Sequence, residues 1–231
     1  MKRKVLFALI LFAACTGWAQ KLEYKVTSLG MKVADLSLNI TDKRLQIKVS
    51  NSGQRSLFPH INNRYCIDWK EDFLPQRYIR QIHQDALRDS IYTIYEDTQA
   101  TMLQKKKAEK SSYPIPPNCR DIFSLLLKIC QSPKPVGEYH VDGNGRSWKV
   151  VVAGGKSERI NTALGKFQAT RYELSFMPLS PQKAPYTDML TFNMLSEDLK
   201  LQLWVNQGGI PIKAQLKKKL LTMAWEIISI S

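Results

Sequence analysis

A chain of 231 residues carrying a formal net charge of +14 has room for one large β-rich domain or two small ones. A positive surplus of that size favours anionic partners, such as lipid headgroups, acidic glycans or an acidic protein surface. The cysteine and histidine spacings match no zinc or redox motif, and after the first residues no apolar run approaches the roughly 20 residues that cross a bilayer.

The chain opens with an export signal. Lys2, Arg3 and Lys4 form a basic start and Val5 to Ala14 an apolar run, the two parts a secretory signal requires. Gly17-Trp18-Ala19 places small residues where signal peptidase reads, so cleavage is expected after Ala19, with Gln20 the new terminus. Phe12-Ala13-Ala14-Cys15 also resembles a lipobox, with Phe12 departing from the usual Leu. The protein is therefore expected to be exported to the periplasm, either free or lipid-anchored through Cys15. Loss of Lys2, Arg3 and Lys4 takes the net charge from +14 to +11. An exported chain is not expected to meet nucleic acid.

From the first mature residues the pattern is β. Leu22, Tyr24 and Val26 alternate with polar residues, as do Ala34, Leu36, Leu38 and Ile40, then Leu45, Ile47 and Val49 after a turn at Thr41-Asp42-Lys43. This predicts an antiparallel meander. Asn51-Ser52-Gly53 breaks it, and Leu57 to Ile61 reads as an irregular or short helical crossing into Tyr65–Trp69. After a turn at Asp72–Pro75, strands are expected at Gln76–His83 and Ser90–Glu96. A short one at 101–103 is ended by Lys105-Lys106-Lys107. Ser111 to Pro117 reads as an extended boundary, because its prolines cannot donate to a sheet.

A single helix follows. Ile122, Leu125, Leu126 and Ile129 recur at i, i+3, i+4 and i+7, and Phe123 and Leu127 widen the stripe until the helix is nearly enclosed. Asn118 or Asp121 is the candidate N-cap, and Pro133 and Pro135 bar continuation. If Cys119 and Cys130 shared that helix they would lie about 16 Å apart, beyond the roughly 7 Å a disulfide tolerates. Cys66 is left to pair with either, although the odd count of three cysteines after cleavage at Ala19 favours free thiols. The second β half then holds Gly137–Val141 and Ser147–Val152 around the hairpin turn Asp142-Gly143-Asn144-Gly145. Gly154-Gly155 reads as a break. Glu158–Thr162 and Lys166–Phe176 join at Gly165, expected at positive φ. A proline-rich loop from Met177 to Pro185 and an ambiguous Leu190–Asn193 precede Lys200–Val205, Ile210–Leu216 and Leu221–Ile228.

The order of these motifs resembles the bacterial exported family catalogued as domain of unknown function 3108. Leu22-Glu23-Tyr24-Lys25-Val26 with Gly30 and Ala34 is similar to its opening strands, and Pro117 to Leu127 to its proline-then-helix element. Gly137-Glu138-Tyr139 with Thr162 to Ala169 resembles its central pattern, and Leu203-Trp204-Val205 with Ile210 to Lys213 its closing hairpin. Asn206-Gln207-Gly208-Gly209 stands where the family has an acidic turn. The resemblance spans roughly residues 21 to 228. It implies an exported, mostly antiparallel β domain and supplies no catalytic residues.

Little in the residues points to catalysis. The histidines, His60, His83 and His140, lack ligand spacing, and His60, Cys66 and Asp68 make a weak metal candidate against an accidental grouping. There is no nucleophile elbow and no phosphate-cradling glycine loop. The acidic residues Glu71, Asp72, Asp85, Asp89, Glu96, Asp97, Glu197 and Asp198 fall at turns and strand ends. The lysine runs 105–107 and 217–219 read as edge protection, with a basic patch for an anionic membrane as the sharper alternative.

The sequence thus predicts a mainly β fold: an antiparallel, strongly curved sheet or open half-barrel enclosing one central helix at about residues 120–130. Residues 1–19 are the signal and 20–231 one domain, its two β halves joined by the 111–135 segment. No catalytic residue, metal or cofactor is expected. The expected partner is an apolar or amphipathic small molecule, or an envelope protein, held on the concave face by Phe123, Leu126, Trp148, Tyr172 and Trp204. The alternative is an envelope enzyme acting on glycan or lipid through carboxylates gathered by the fold.

Overall fold

The computed structural model describes residues 20–51, 59–181, 185–219 and 221–231. The export signal, the Cys15 lipobox, the whole stretch from Ser52 to Phe58 and part of the proline-rich loop lie outside them. The first half supplies β1 (Gln20–Ser28), β2 (Met31–Thr41), β3 (Arg44–Ser50), β4 (Asn62–Trp69), β5 (Pro75–Gln84), β6 (Leu87–Tyr95), β7 (Gln99–Gln104) and β8 (Glu109–Pro114). Helix α1 (Ile122–Gln131) follows. The second half supplies β9 (Gly137–Asp142), β10 (Ser147–Thr162), β11 (Gly165–Pro178), helix α2 (Met189–Met194), β12 (Leu199–Asn206), β13 (Pro211–Lys218) and β14 (Leu221–Ile230).

All fourteen strands form one antiparallel sheet in the order β8-β7-β6-β5-β4-β3-β2-β1-β14-β13-β12-β11-β10-β9. The chain meanders outward from β1 to one edge, crosses to the other edge at β9, and meanders back until β14 pairs with β1. The sheet is open and curls around α1, which is the architecture the alternation and the lone enclosed helix predict. Inner positions alternate as expected: Leu22, Tyr24 and Val26 on β1, Leu45, Ile47 and Val49 on β3, and Leu199, Leu201 and Leu203 on β12 are all buried. They form one apolar cluster with α1.

Asp121 is the N-cap of α1, its Oδ1 accepting from the N–H of Phe123 at 2.9 Å and of Ser124 at 3.1 Å. The helix begins at Ile122, so Cys119 precedes it and the separation argued from a continuous helix does not hold. Cys66, Cys119 and Cys130 are all free. The segment before α1 also secures the sheet edge. Arg120 bridges to Val141 of β9 in parallel, its N–H donating to His140 and its carbonyl accepting from Asp142.

Two expectations are corrected. Ser111 to Pro114 belongs to β8, paired with β7 along its length; the proline is tolerated because it closes an edge strand. Lys105-Lys106-Lys107 is then the turn of that hairpin, with Lys105 Nζ 5.1 Å from the Tyr92 ring centre. Gly154-Gly155 does not break the chain either, because β10 runs through it as a bulge between Gly154 and Lys156. The glycines, at φ 112° and 99°, supply the extra residue and left-handed backbone that such a bulge needs. The ambiguous 190–193 stretch is part of α2, capped by Asp188.

A buried polar cluster joins the two halves. Arg80 on β5, 1% exposed, donates from Nη2 to Thr93 at 3.1 Å, and from Nη1 to Asn144 and to Thr187 at 3.5 Å. Asn144 and Gly145 are the left-handed centre of the β9–β10 hairpin. Asp142 beside them accepts from Tyr95, Tyr113 and the Gly145 N–H at 3.0, 3.0 and 2.8 Å. Asp188 accepts from Tyr65 at 2.9 Å and from Thr191 through both N–H and hydroxyl, at 2.9 and 2.6 Å. Burial pushes the Asp142 carboxyl above the usual carboxylate range, against those hydrogen bonds and the field of Arg80.

Two outcomes are expected in urea denaturation. Gly154→Ala will destabilise by more than about 1 kcal/mol, because its Cβ would meet the Arg171 carbonyl oxygen at 2.6 Å. Gly155→Ala, with nothing within 4 Å, will cost less; equal losses would contradict the bulge geometry. Arg80→Met will cost roughly 3 kcal/mol or more at pH 7, by leaving buried carboxylates uncompensated. A carboxyl whose folded pKa is raised stabilises the fold most below its unfolded pKa and loses that contribution as pH rises towards the folded value. Removing Arg80 raises the folded Asp142 value further, so the deficit will narrow as the pH falls below 7.

Candidate functional site

The inner face of the sheet is wider than α1 can cover. Beside the helix lies a cleft of about 110 Å³ whose walls are almost wholly apolar. β1, β2 and β3 contribute Tyr24, Leu36, Leu38, Leu45 and Ile47; β12, β13 and β14 contribute Leu201, Leu203, Ala214 and Trp225. The helix side is Phe123, Leu126, Leu127 and Cys130, with Leu190 and Met194 of α2 closing one end. Strand parity puts these residues on one face, since Tyr24 lies opposite Leu36, Leu38 opposite Ile47, and Ala214 opposite both Leu203 and Trp225.

Leu36, Leu38, Leu126, Leu190 and Ala214 are only half-buried, although all face the interior of the curl. Half-exposed leucines on the inner side of a sheet mark an unfilled cleft. On the outer side they would need no explanation.

The fold separates the predicted binding residues. Phe123 and Leu126 line the cleft. Phe123 is also wedged against Tyr65 and Tyr78, with ring centres 5.4 and 6.1 Å away, so Leu126 is the freer of the two. Trp148 is buried at the β9–β10 end, under the Arg146 guanidinium at 4.6 Å and against the Gly143 backbone. Tyr172 lies opposite Leu203 on β12 and is half-buried, but is not part of the lining. Trp204 alternates with Leu203, so it takes the other face of the sheet, packed under Lys213 at 5.5 Å. The cleft residues passed over were the plain aliphatics. Their signal in the sequence is the shared inward parity of Leu36, Leu38, Leu201 and Leu203.

Lys213 is the one charged residue of the lining, and its ammonium lies over the Trp204 ring; Tyr24 and Cys130 are satisfied or neutral. Tyr24 donates its hydroxyl to the Pro211 carbonyl at 2.7 Å, and burial raises its pKa well above the ordinary phenol value. Burial also pushes the Cys130 thiol up to about 12, which leaves it protonated and a poor nucleophile at neutral pH.

No carboxylate is among the residues lining the cleft. Asp72 pairs with Arg120 and Lys128 on the flank of α1, Asp89 accepts from Ser90, Gln104 and Lys106, and Asp85 accepts from the His60 N–H. Asp68 lies between Arg44 and Arg77. Burial would raise its carboxyl, but hydrogen bonds from both guanidiniums prevail and hold it below the usual range. Among the described residues no group of three or more His, Cys, Asp or Glu side chains converges as a metal site would require.

No family model and no curated protein matches the sequence. Among solved structures the chain is similar to a β-barrel-like protein of domain of unknown function 1849 from Brucella abortus. The identity is 8%, the TM-score 0.60, and the match covers 92% of this chain and 97% of that one. It also matches the hypothetical lipoprotein YmcC of Escherichia coli at 8% identity and TM-score 0.36, covering 91% and 84%. An exported protein of Bacteroides fragilis with a YmcC-like fold matches at 7% and 0.32, covering 92% and 95%. The first likeness shows a shared β-barrel-like fold and nothing more; the other two superpose too loosely to add to it.

Proposed function

We propose that the protein is a non-catalytic binding protein of the cell envelope, exported by the signal at residues 1–19 and related to the 3108 family that its motif order resembles. Its ligand is an apolar or amphipathic molecule held in the cleft between α1 and the inner face of the sheet. The observation that carries this reading is the half-exposed leucine lining, which leaves apolar surface facing an unfilled space inside the curl. Apolar walls with few polar groups are the usual character of small-molecule sites. Carboxylates held in caps, tyrosine hydrogen bonds and arginine pairs favour binding over hydrolysis.

Leu126→Asp tests it. The side chain is half-buried on the cleft side of α1, so a carboxylate there is hydrated in the empty protein but desolvated by an apolar ligand. Native mass spectrometry of the mature chain, prepared from periplasm without detergent, is expected to show a noncovalent adduct that the variant loses. Its circular dichroism should remain that of the parent. An adduct retained in a folded Leu126→Asp protein would refute the site.

A further inference from the structure

A second apolar cavity, of about 120 Å³, lies on the far side of α2. It shares Leu190 and Met194 of α2, and Trp225 of β14, with the cleft described above. The two are consecutive along the same strands. Tyr24 gives way to Val26 and Ser28 on β1, Leu38 and Leu36 to Ala34 and Val33 on β2, and Trp225 to Met223 on β14. Leu190 and Met194 of α2 stand between them, together with Trp225.

Neither cavity alone takes a ligand of ordinary size. A buried apolar void of about 150 Å³ holds one benzene, and small-molecule sites run from about 300 Å³ upward. From Leu38 to Val33 the trough spans about 17 Å at the usual strand rise. That is the length of an extended hydrocarbon of roughly twelve to fourteen carbons, at about 1.25 Å per carbon.

The two ends differ. The first cavity is aliphatic and aromatic apart from Lys213 and Cys130, whereas the second has Ser28, Asn63, Gln84 and Asn193 in its lining. The second cavity therefore offers more hydrogen-bonding groups than the first, where the Tyr24 hydroxyl is spent on the Pro211 carbonyl and the Lys213 ammonium lies over the Trp204 ring.

The attachments of α2 are equally one-sided. Its N-terminus is pinned: Asp188 accepts from Thr191, Gln84 Oε1 accepts from the Met189 N–H at 3.0 Å, and Asn144 donates to Thr191 at 3.4 Å. Its C-terminal turn rests on the cavities through Met194. Phe192 points outward, 43% exposed, with its ring against Tyr186 at 5.2 Å. A helix of six residues has little stability of its own.

Building on the binding role proposed above, we infer that the ligand is a single-chain amphiphile of fatty-acid type. Its tail lies in the first cavity and its polar head at the Ser28, Asn63 and Gln84 end. It is admitted when the C-terminal turn of α2 swings out about its pinned N-terminus and withdraws Met194 and Leu190 from the trough.

The test uses the mature full-length chain with dodecanoic acid and hexanoic acid, read by calorimetry and by hydrogen exchange. Wild type should bind dodecanoic acid at least tenfold more tightly than hexanoic acid. Exchange at Phe192 to Met194 should accelerate on saturation while α1 stays protected. Leu190→Ala/Met194→Ala, which joins the cavities without moving α2, should bind dodecanoic acid about tenfold more tightly than wild type. Dodecanoic acid bound with α2 protection unchanged, or both acids bound equally with Leu126→Asp abolishing both, would overturn the α2 mechanism and leave the cleft reading standing. No binding of either acid by wild type or by the double variant, with both folded by circular dichroism, would overturn the ligand class. If the wild-type protein also carries no native adduct, the cleft reading falls with it.

Discussion

An open antiparallel sheet of this size has two edges, and the fold depends on how they are brought under control. Unpaired strand edges invite association with other chains. Here β9 is taken up by Arg120, whose backbone pairs with His140 and Asp142 immediately before α1 starts. From the other side, Tyr113 on the edge strand β8 and Tyr95 on β6 send their hydroxyls to the Asp142 carboxylate. Satisfying the β9 edge therefore fixes the start of α1, and the Asp121 cap sends the helix across the concave face. The edge strand β8 is short and carries Lys110 and Pro114, residues that discourage pairing.

That placement has a volumetric consequence. Helix α1 has ten residues, about 15 Å of axis, and it lies in a trough formed by strands from both halves. One helix of that length cannot fill the curl. Helix α2 covers part of the remainder, and what neither covers is the pair of apolar cavities. A well-packed interior closes such gaps; here the gaps lie next to the one element whose contacts with the core are thin.

The sequence carried the strands and α1 because their signals are periodic and local. Leu22, Tyr24 and Val26 repeat every second residue, Ile122, Leu125, Leu126 and Ile129 every third or fourth, and Asn144-Gly145 announces a tight hairpin. What stayed hidden depends on partners distant in sequence. Arg80 stands between Tyr78 and Ile82 in a strand whose other face holds Arg77, Ile79 and Gln81, so alternation does not say which arginine is inside. Gly154-Gly155 carries the same letters whether it turns a chain or bulges it; the unbroken register of β10 with β11 on either side decides. Trp204 has inward neighbours at 203 and 205 and takes the opposite face by parity alone, which hydrophobicity cannot reveal. Helix α2 is too short for a period, and only Asp188 with Thr191 three residues on marked its start.

The cluster around Arg80 explains why a short helix keeps its place at all. Apolar contact is non-directional, and the leucine walls of the trough would accept Leu190 and Met194 in more than one position. Hydrogen bonds are directional, and those converging from β4, β5 and the β9–β10 hairpin on Thr187, Asp188 and Thr191 define one position for the α2 N-terminus. Burying a guanidinium and carboxylates is a poor way to gain stability, since apolar residues of similar volume commonly do as well. It is an effective way to specify geometry, because any displacement leaves a buried donor or acceptor unmatched. Polar specification at one end of α2 and loose apolar packing at the other make the helix a pinned element over an incompletely filled site. The same asymmetry that lets the C-terminal turn move keeps the N-terminal turn from following it.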